Sequence, residues 1–240
     1  ILKKRKLFTM ILYELDAINE QYFSPYTWRI LMSLNHKDLY KDIKRIPIKF
    51  SEKSEITNKG FNTVPVLNDK GTWIGGSLDI AKYLELTYPN NPSLFGNTEN
   101  MNLTIIINQI IDPKILAILA RIIVLDAYNT IHPEDKTFFR KTREKILNKT
   151  IEEVELESGK YIPLFQKEIN PFRKIIKDNK FFTGSKPMYC DYILFGFFMW
   201  ARNCSKKQLL EKDDILWAWR ERMLDLYDGF ARNSNGFEIK

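Results

Sequence analysis

Phe23-Ser24-Pro25-Tyr26-Thr27-Trp28-Arg29, taken with Val64-Pro65 and Gly76-Ser77, decides how this chain folds. Proline suits the first turn of a helix, where its missing N–H is not needed, and a serine just before it can accept a hydrogen bond from a free first-turn amide. A helix from Pro25 to about His36 follows, with Trp28, Leu31, Met32 and Asn35 on one face. Met10 to Leu15 reads as a mostly apolar strand before it, and Ile43 to Phe50 alternates as a second strand after it. Val64-Pro65-Val66-Leu67 is a short apolar segment, Asn68-Asp69-Lys70-Gly71 turns the chain, and Thr72-Trp73-Ile74 closes a hairpin. Ser77 is expected to cap another helix, carrying Ile80, Ala81 and Leu84 and ending before Pro89. The order is βαβ then ββα, a parallel crossover joined to an antiparallel hairpin. Two polar helix entrances, at Ser24 and Ser77, then converge on one extended backbone segment at Val64-Pro65.

Outward from this unit the character changes. Residues 89–98 are rich in turn formers and read as a linker. Beyond them no stretch resembles a strand. Residues 100–129 and 137–178 carry helical patterns, with a break expected at Pro113. Tyr189 to Arg202 is apolar nearly all round, as a central buried helix is. Leu216, Trp219, Met223, Leu226 and Phe230 stripe the last helix, whose entrance carries Asp213 and Asp214. The expected division is a basic N-terminal extension at 1–9, an α/β domain at 10–88, the linker at 89–98, an all-helical domain at 99–230 and a polar, fraying tail at 231–240.

The chain has 240 residues, 44% hydrophobic and 13% aromatic, enough to fill a core. The net charge of +7 includes Lys3, Lys4, Arg5 and Lys6, which leaves +3 for the rest. Without a basic aromatic stripe, this argues against nucleic acid. No apolar run of about 7–15 residues follows the lysines, so they do not introduce a signal peptide. The most apolar stretch, Ile105 to Leu125, contains Asn108, Asp112, Pro113, Lys114 and Arg121, which argues against a membrane span. Cys190 and Cys204 read as reduced thiols of a cytoplasmic protein, and His36 and His132 have no cysteine near them to build a zinc site.

These motifs, in this order, resemble the cytosolic glutathione transferases, in which an α/β thioredoxin-like N-terminal domain precedes an all-α C-terminal domain. The resemblance covers roughly residues 10–232. Val64-Pro65 matches the family's cis-proline, and Ser77 its serine for the γ-glutamyl carboxylate. FSPYTWR resembles the serine-containing branch, especially bacterial β-etherases and fungal etherase-related transferases. The runs His132-Pro133-Glu134-Asp135, Phe138 to Lys145 and Thr150 to Glu153 resemble a segment those proteins insert after the first long helix. Asp191-Tyr192, Trp200-Ala201-Arg202 and Trp219 to Asp225 resemble their closing helices. The sequence departs from the family in two places. Gly76 stands where an acidic residue is usual, and Met188 stands at the cap of the central helix, a loss of about 1 kcal/mol if nothing compensates.

The resemblance implies glutathione as co-substrate without a metal, a hydrophobic electrophile with aryl ethers as candidates, and a homodimer. A free thiol has a pKa of roughly 8.5, and each unit removed needs about 1.4 kcal/mol of preferential thiolate binding. A helix N-terminus supplies roughly 0.3–1 kcal/mol and a hydroxyl donating to the charged sulfur about 1.5–3 kcal/mol. Ser24 can supply both; the alternative is that it only caps a helix. Tyr13, Tyr22 and Tyr26 compete, Tyr13 reading as a packing residue. Tyr22, Tyr26 and Tyr128 are candidates for the acceptor pocket. The Val64 backbone is expected to pair with the cysteinyl unit, with Pro65 in cis turning that edge outward, and Gly76 adjoins Ser77 at the γ-glutamyl end. Lys49 or Lys59 is either a partner of the glycyl carboxylate or a solvated lysine. Arg140, Arg143 and Lys145 form either a solvent-facing face or an anion clamp. Residues 132–159 are expected to fold over the pocket mouth, the alternative being a surface insertion. Two other functions stay open: a glutathione-binding regulatory or scaffold protein, favoured by Gly76, and a thiol oxidoreductase, disfavoured because residues 1–88 hold no cysteine.

Overall fold

The computed structural model describes residues 10–18 and 23–238. Its first unit is β1 (Met10–Leu15), α1 (Pro25–His36), β2 (Ile43–Ile48), the single turn α2 (Ser54–Thr57), β3 (Val66–Asp69), β4 (Thr72–Gly75) and α3 (Ser77–Thr87). The four strands lie in the order β2-β1-β3-β4. β1 runs parallel to β2, with Tyr13 opposite Ile46, and antiparallel to β3, with Leu12 opposite Leu67. This is the α/β thioredoxin-like layer, and the chain beyond it is helical. α4 spans Thr98–Thr130, α5 Lys136–Leu147, α6 Ile151–Leu156, α7 Ser158–Glu168, α8 Asn170–Ile176, α9 Tyr189–Cys204 and α10 Ile215–Gly229. The α/β plus all-α architecture expected from the sequence is the one observed.

α1 is the pivot. Its residues Thr27 to Leu34 are all buried, because the sheet lies on one side and α9 on the other. The close approach needs Gly196: a Cβ there would sit 2.4 Å from the Pro25 carbonyl oxygen. Arg29, fully buried, makes two bonds to the Asp112 carboxylate of α4 at 2.6 and 2.8 Å and one to Asn108 at 3.2 Å. Burial alone would lower its pKa; the Asp112 hydrogen bonds and charge outweigh that and raise it. Trp28 donates its indole N–H to Asn203 of α9 at 3.1 Å. The helix that begins at Ser24 is therefore clamped by the all-α domain.

Three expectations change. Pro113 does not break α4, which runs through it for 33 residues. The cap missing at Met188 is offset from another segment: the Leu94 carbonyl accepts the Tyr189 N–H at 2.8 Å, while the Asp191 carboxylate accepts the N–H groups of Met188, Phe182 and the Trp219 indole, each at 3.0 Å. The tail does not fray up to residue 238: Phe237 N–H reaches the Arg202 carbonyl at 2.8 Å, and Asn203 donates to the Asn235 carbonyl at 2.7 Å. The extension at 1–9 lies outside the described residues. Among the described residues no helix is long and apolar enough to cross a membrane. Nor is any group of three or more His, Cys, Asp or Glu side chains among them placed to hold a metal.

Candidate functional site

Ser24 sits where its neighbour Pro25 implies. It is the N-cap of α1, with extended backbone (φ −93°, ψ 127°), and its oxygen accepts the Thr27 N–H at 3.3 Å. Its own hydroxyl proton has no acceptor among the described residues. A donor is thus free at the positive end of a buried helix, the arrangement that stabilises an anion such as a thiolate.

The Val64–Pro65 bond is cis. Val64 precedes β3, and its N–H and C=O make no backbone hydrogen bond among the described residues. The Pro65 carbonyl, next in line, accepts the Gly76 N–H at 3.0 Å and so ties this edge to the start of α3. Val64 offers one donor and one acceptor to an extended peptide laid along it.

The entrance of α3 differs from expectation. The N-cap is Gly76, at φ +86° and ψ 137°, and Ser77 is already the first helical residue, so its hydroxyl caps nothing. This backbone conformation suits glycine. Without a side-chain cap, the amides of Ser77, Leu78 and Asp79 have no acceptor among the described residues. An uncapped helix N-terminus is an anion site. The Ser77 side chain is buried beside the Tyr189 phenol, whose pKa burial pushes up to about 12, with Arg29 and Ser77 acting against the rise.

The other candidates fall in several places. Tyr13 packs within the sheet, stacked 5.5 Å from Trp73. Tyr26 faces the Arg29 guanidinium, 4.7 Å away, and burial followed by Asp112 raises its pKa. Tyr128 lies under Lys136 and Arg140, at 5.0 and 4.7 Å. Tyr22 lies outside the described residues. Lys49 pairs with Glu134 at 2.7 Å, and Lys59 lies 5.5 Å from the Trp73 ring. His132 stands 3.1 Å from Asp16 as a loop residue.

Sequence reasoning missed how residues 132–147 meet the α/β unit. The Asp135 carboxylate accepts Phe50 N–H at 3.0 Å, Ser51 N–H at 2.9 Å and the Ser51 hydroxyl at 2.5 Å. Phe139 of α5 meets Phe50 edge-on at 5.4 Å and Phe23 at 6.3 Å. α5 is therefore fastened to the residue before Ser24. A cavity of about 540 Å³ also opens beside the β1–α1 loop, lined by Ile18, by Asn129 and Thr130 at the end of α4, and by Phe237. The one sequence signal for Phe237 was that it is the single aromatic residue of the tail at 231–240.

Comparison with known proteins identifies the family of both domains. The family model for the glutathione S-transferase C-terminal domain matches residues 103–232, and that for the N-terminal domain matches residues 23–87. Glutathione S-transferase L3 of Arabidopsis thaliana is 34% identical over 77 residues, 31% of this chain and 32% of that protein, so the match spans about a third of the relative's length. Among solved structures, the glutathione transferase GSTFuA3 of Phanerochaete chrysosporium is similar with a TM-score of 0.74, at 23% identity over 94% of each chain. A glutathione S-transferase of Ceriporiopsis subvermispora, solved in complex with glutathione, also scores 0.74, at 22% identity over 93% of this chain and 94% of its own.

Proposed function

We propose that this chain, which belongs to the glutathione S-transferase family, binds glutathione along the Val64 edge and activates its thiol at Ser24 for transfer to a hydrophobic electrophile. The observation that carries this reading is the free Ser24 hydroxyl proton at the head of α1, in a fold that also leaves the Val64 backbone and the first amides of α3 unpaired among the described residues. The γ-glutamyl carboxylate meets the α3 amides and Ser77. The cysteinyl unit pairs with Val64. The sulfur accepts from Ser24. The thiolate then attacks the electrophilic carbon, forming a thioether while the leaving group departs with the bond's electron pair. Aryl ethers are the electrophile class carried over from the etherase-like resemblance, and the cavity at Ile18, Asn129, Thr130 and Phe237 offers them room.

The measurement is the thiolate absorbance of bound glutathione against pH in the wild type and in Ser24→Ala. A raised thiol pKa in the variant is expected, and an unchanged one removes the role of Ser24. A panel of aryl ethers and aryl halides then separates transfer from binding alone. Tight binding with no turnover favours the regulatory or scaffold reading, toward which Gly76 points.

The protein is also proposed to act as a cytoplasmic homodimer. Leu103, Ile106 and Ile110 share one face of α4 and are each more than half exposed, an apolar stripe that a second copy would cover. Sedimentation at micromolar concentration is expected to give twice the 28.5 kDa chain mass, and Ile106→Glu to halve it.

A further inference from the structure

The last turn of α9 holds the chain on two sides. Arg202 reaches out to the tail: its guanidinium donates to the carbonyls of Arg232 and Ser234, each at 3.1 Å, and its own carbonyl accepts the Phe237 N–H at 2.8 Å. A Cβ at Gly236 would sit 2.8 Å from Arg202 Nη1 and 3.2 Å from the Arg202 carbonyl oxygen, so the tail passes as close as a glycine permits. Arg232, Asn233 and Asn235 are exposed, so hydrogen bonds more than burial hold this segment in place.

Asn203, fully buried, faces both ways. Its side chain accepts the Trp28 indole N–H at 3.1 Å and donates to the Asn235 carbonyl at 2.7 Å. The partners fix which way the amide points, because an indole N–H only donates and a carbonyl only accepts. An aspartate of the same shape keeps the first bond and cannot make the second. Both ends of this bridge lead toward the proposed chemistry. Trp28 lies one turn beyond Ser24, and its backbone N–H donates to the Ser24 carbonyl at 3.2 Å. Asn235 lies two residues before Phe237, which lines the cavity of about 540 Å³ together with Cys204, the neighbour of Asn203. The tail also starts from the same place, since the Phe230 ring meets the Trp28 ring at 6.1 Å.

We infer that Asn203 is a positioning residue for the acceptor end of the reaction: it ties the tail, and with it the Phe237 wall of the cavity, to the helix that carries Ser24. The inference rests on the function proposed above, which gives that cavity to the electrophile.

The test is a double-mutant cycle of Asn203→Asp and Phe237→Ala, read with glutathione and chlorodinitrobenzene. Asn203→Asp is expected to raise KM for the aryl halide about tenfold, the scale of one hydrogen bond, and to leave KM for glutathione within about twofold. In the Phe237→Ala background the same substitution should change the aryl-halide KM by less than about twofold, because the wall that it positions is gone. A purely structural asparagine would give the same factor in both backgrounds. A second arm needs no turnover. Amide hydrogen exchange at Phe237 should quicken about tenfold in Asn203→Asp with the α9 amides unchanged, and phenoxyethanol, an aryl ether, should slow it in the wild type. A wild type that binds no glutathione removes the functional reading, and the response of the Phe237 amide to Asn203→Asp and to phenoxyethanol then decides the inference by itself. Gly236→Ala crowds the Arg202 carbonyl that receives the Phe237 N–H, and it replaces Asn203→Asp in both arms if that variant fails to fold. Equal KM factors in the two backgrounds, or a Phe237 amide that Asn203→Asp leaves unmoved, overturn the inference.

Discussion

The entrances of α1 and α3 look alike in sequence and differ in the fold. Each begins near a serine. At α1 the serine is the cap itself, and its oxygen holds the Thr27 amide. At α3 the cap is Gly76, and Ser77 lies one residue inside. One residue is a rotation of about 100° around a helix axis. That step takes the hydroxyl off the helix end and leaves three amides without an acceptor among the described residues. The first entrance presents a hydroxyl donor suited to a sulfur anion. The second presents backbone amides suited to a carboxylate. A serine at a helix start therefore has two different chemistries, set by which residue takes the cap.

The largest expected effect tests the first entrance. Ser24→Ala and Ser24→Gly should each lower kcat about a hundredfold, the scale of a hydrogen bond to a charged group. Glycine caps a helix to within a few tenths of a kcal/mol of serine, so Ser24→Gly should keep most of the thermal stability that Ser24→Ala loses. Stability loss with normal kcat would make Ser24 a cap and nothing more, and the two entrances would then differ only in geometry.

The next effect lies at the other end of α1. Burial and then Lys37 lower the His36 pKa from 6.5 to about 4. A histidine depressed in the folded state favours folding when neutral. Its contribution is complete above about pH 6.5 and is lost as the pH falls toward about 4. Full burial would make this about 3 kcal/mol, and partial exposure brings it to about 2 kcal/mol. Urea midpoints against pH should be flatter for His36→Gln than for the wild type over that window, and parallel curves would rule the assignment out.

Smaller effects belong to the second entrance. Ser77→Ala should raise KM for glutathione about tenfold and spare kcat, because it removes binding remote from the sulfur. A normal KM with a reduced kcat would give Ser77 the role proposed for Ser24. Gly76→Ala should cost about 1 kcal/mol of stability, read by urea denaturation. The added methyl meets no atom within 4 Å, so backbone strain alone sets that cost. A neutral Gly76→Ala would mean that the glycine is not there for its backbone.

Much of this was legible because it is local. The Pro25 start of α1, the hairpin turn at Asn68 to Gly71, and the buried run of α9 each depend on residues a few positions apart. Other readings failed because a distant element intervened. Pro113 stays inside α4, which packs against α5, α6, α7 and α9, and tertiary contact outweighs one lost backbone bond. The cap absent at Met188 is offset by Leu94, nearly a hundred residues earlier, whose carbonyl accepts the Tyr189 N–H. Local spacing set Tyr26 beside Arg29 on the same helix, whereas only the packing of α5 on α4 set Arg140 over Tyr128.

The sequence by itself determined the two-part architecture, the strand and helix order, and the position of Ser24, because periodicity and capping act over a few residues. Only the tertiary structure decided the surroundings of Ser77 and Arg143. Ser77 lost the cap because the Pro65 carbonyl draws in the Gly76 amide and the backbone there turns to a positive φ. Arg143 was one of three similar cations until packing gave Arg140 its carboxylates and laid Arg143 on the rings of Phe50 and Phe139. Charge can be read from sequence, but whether a charge keeps its water and finds a partner depends on surfaces that only folding brings together.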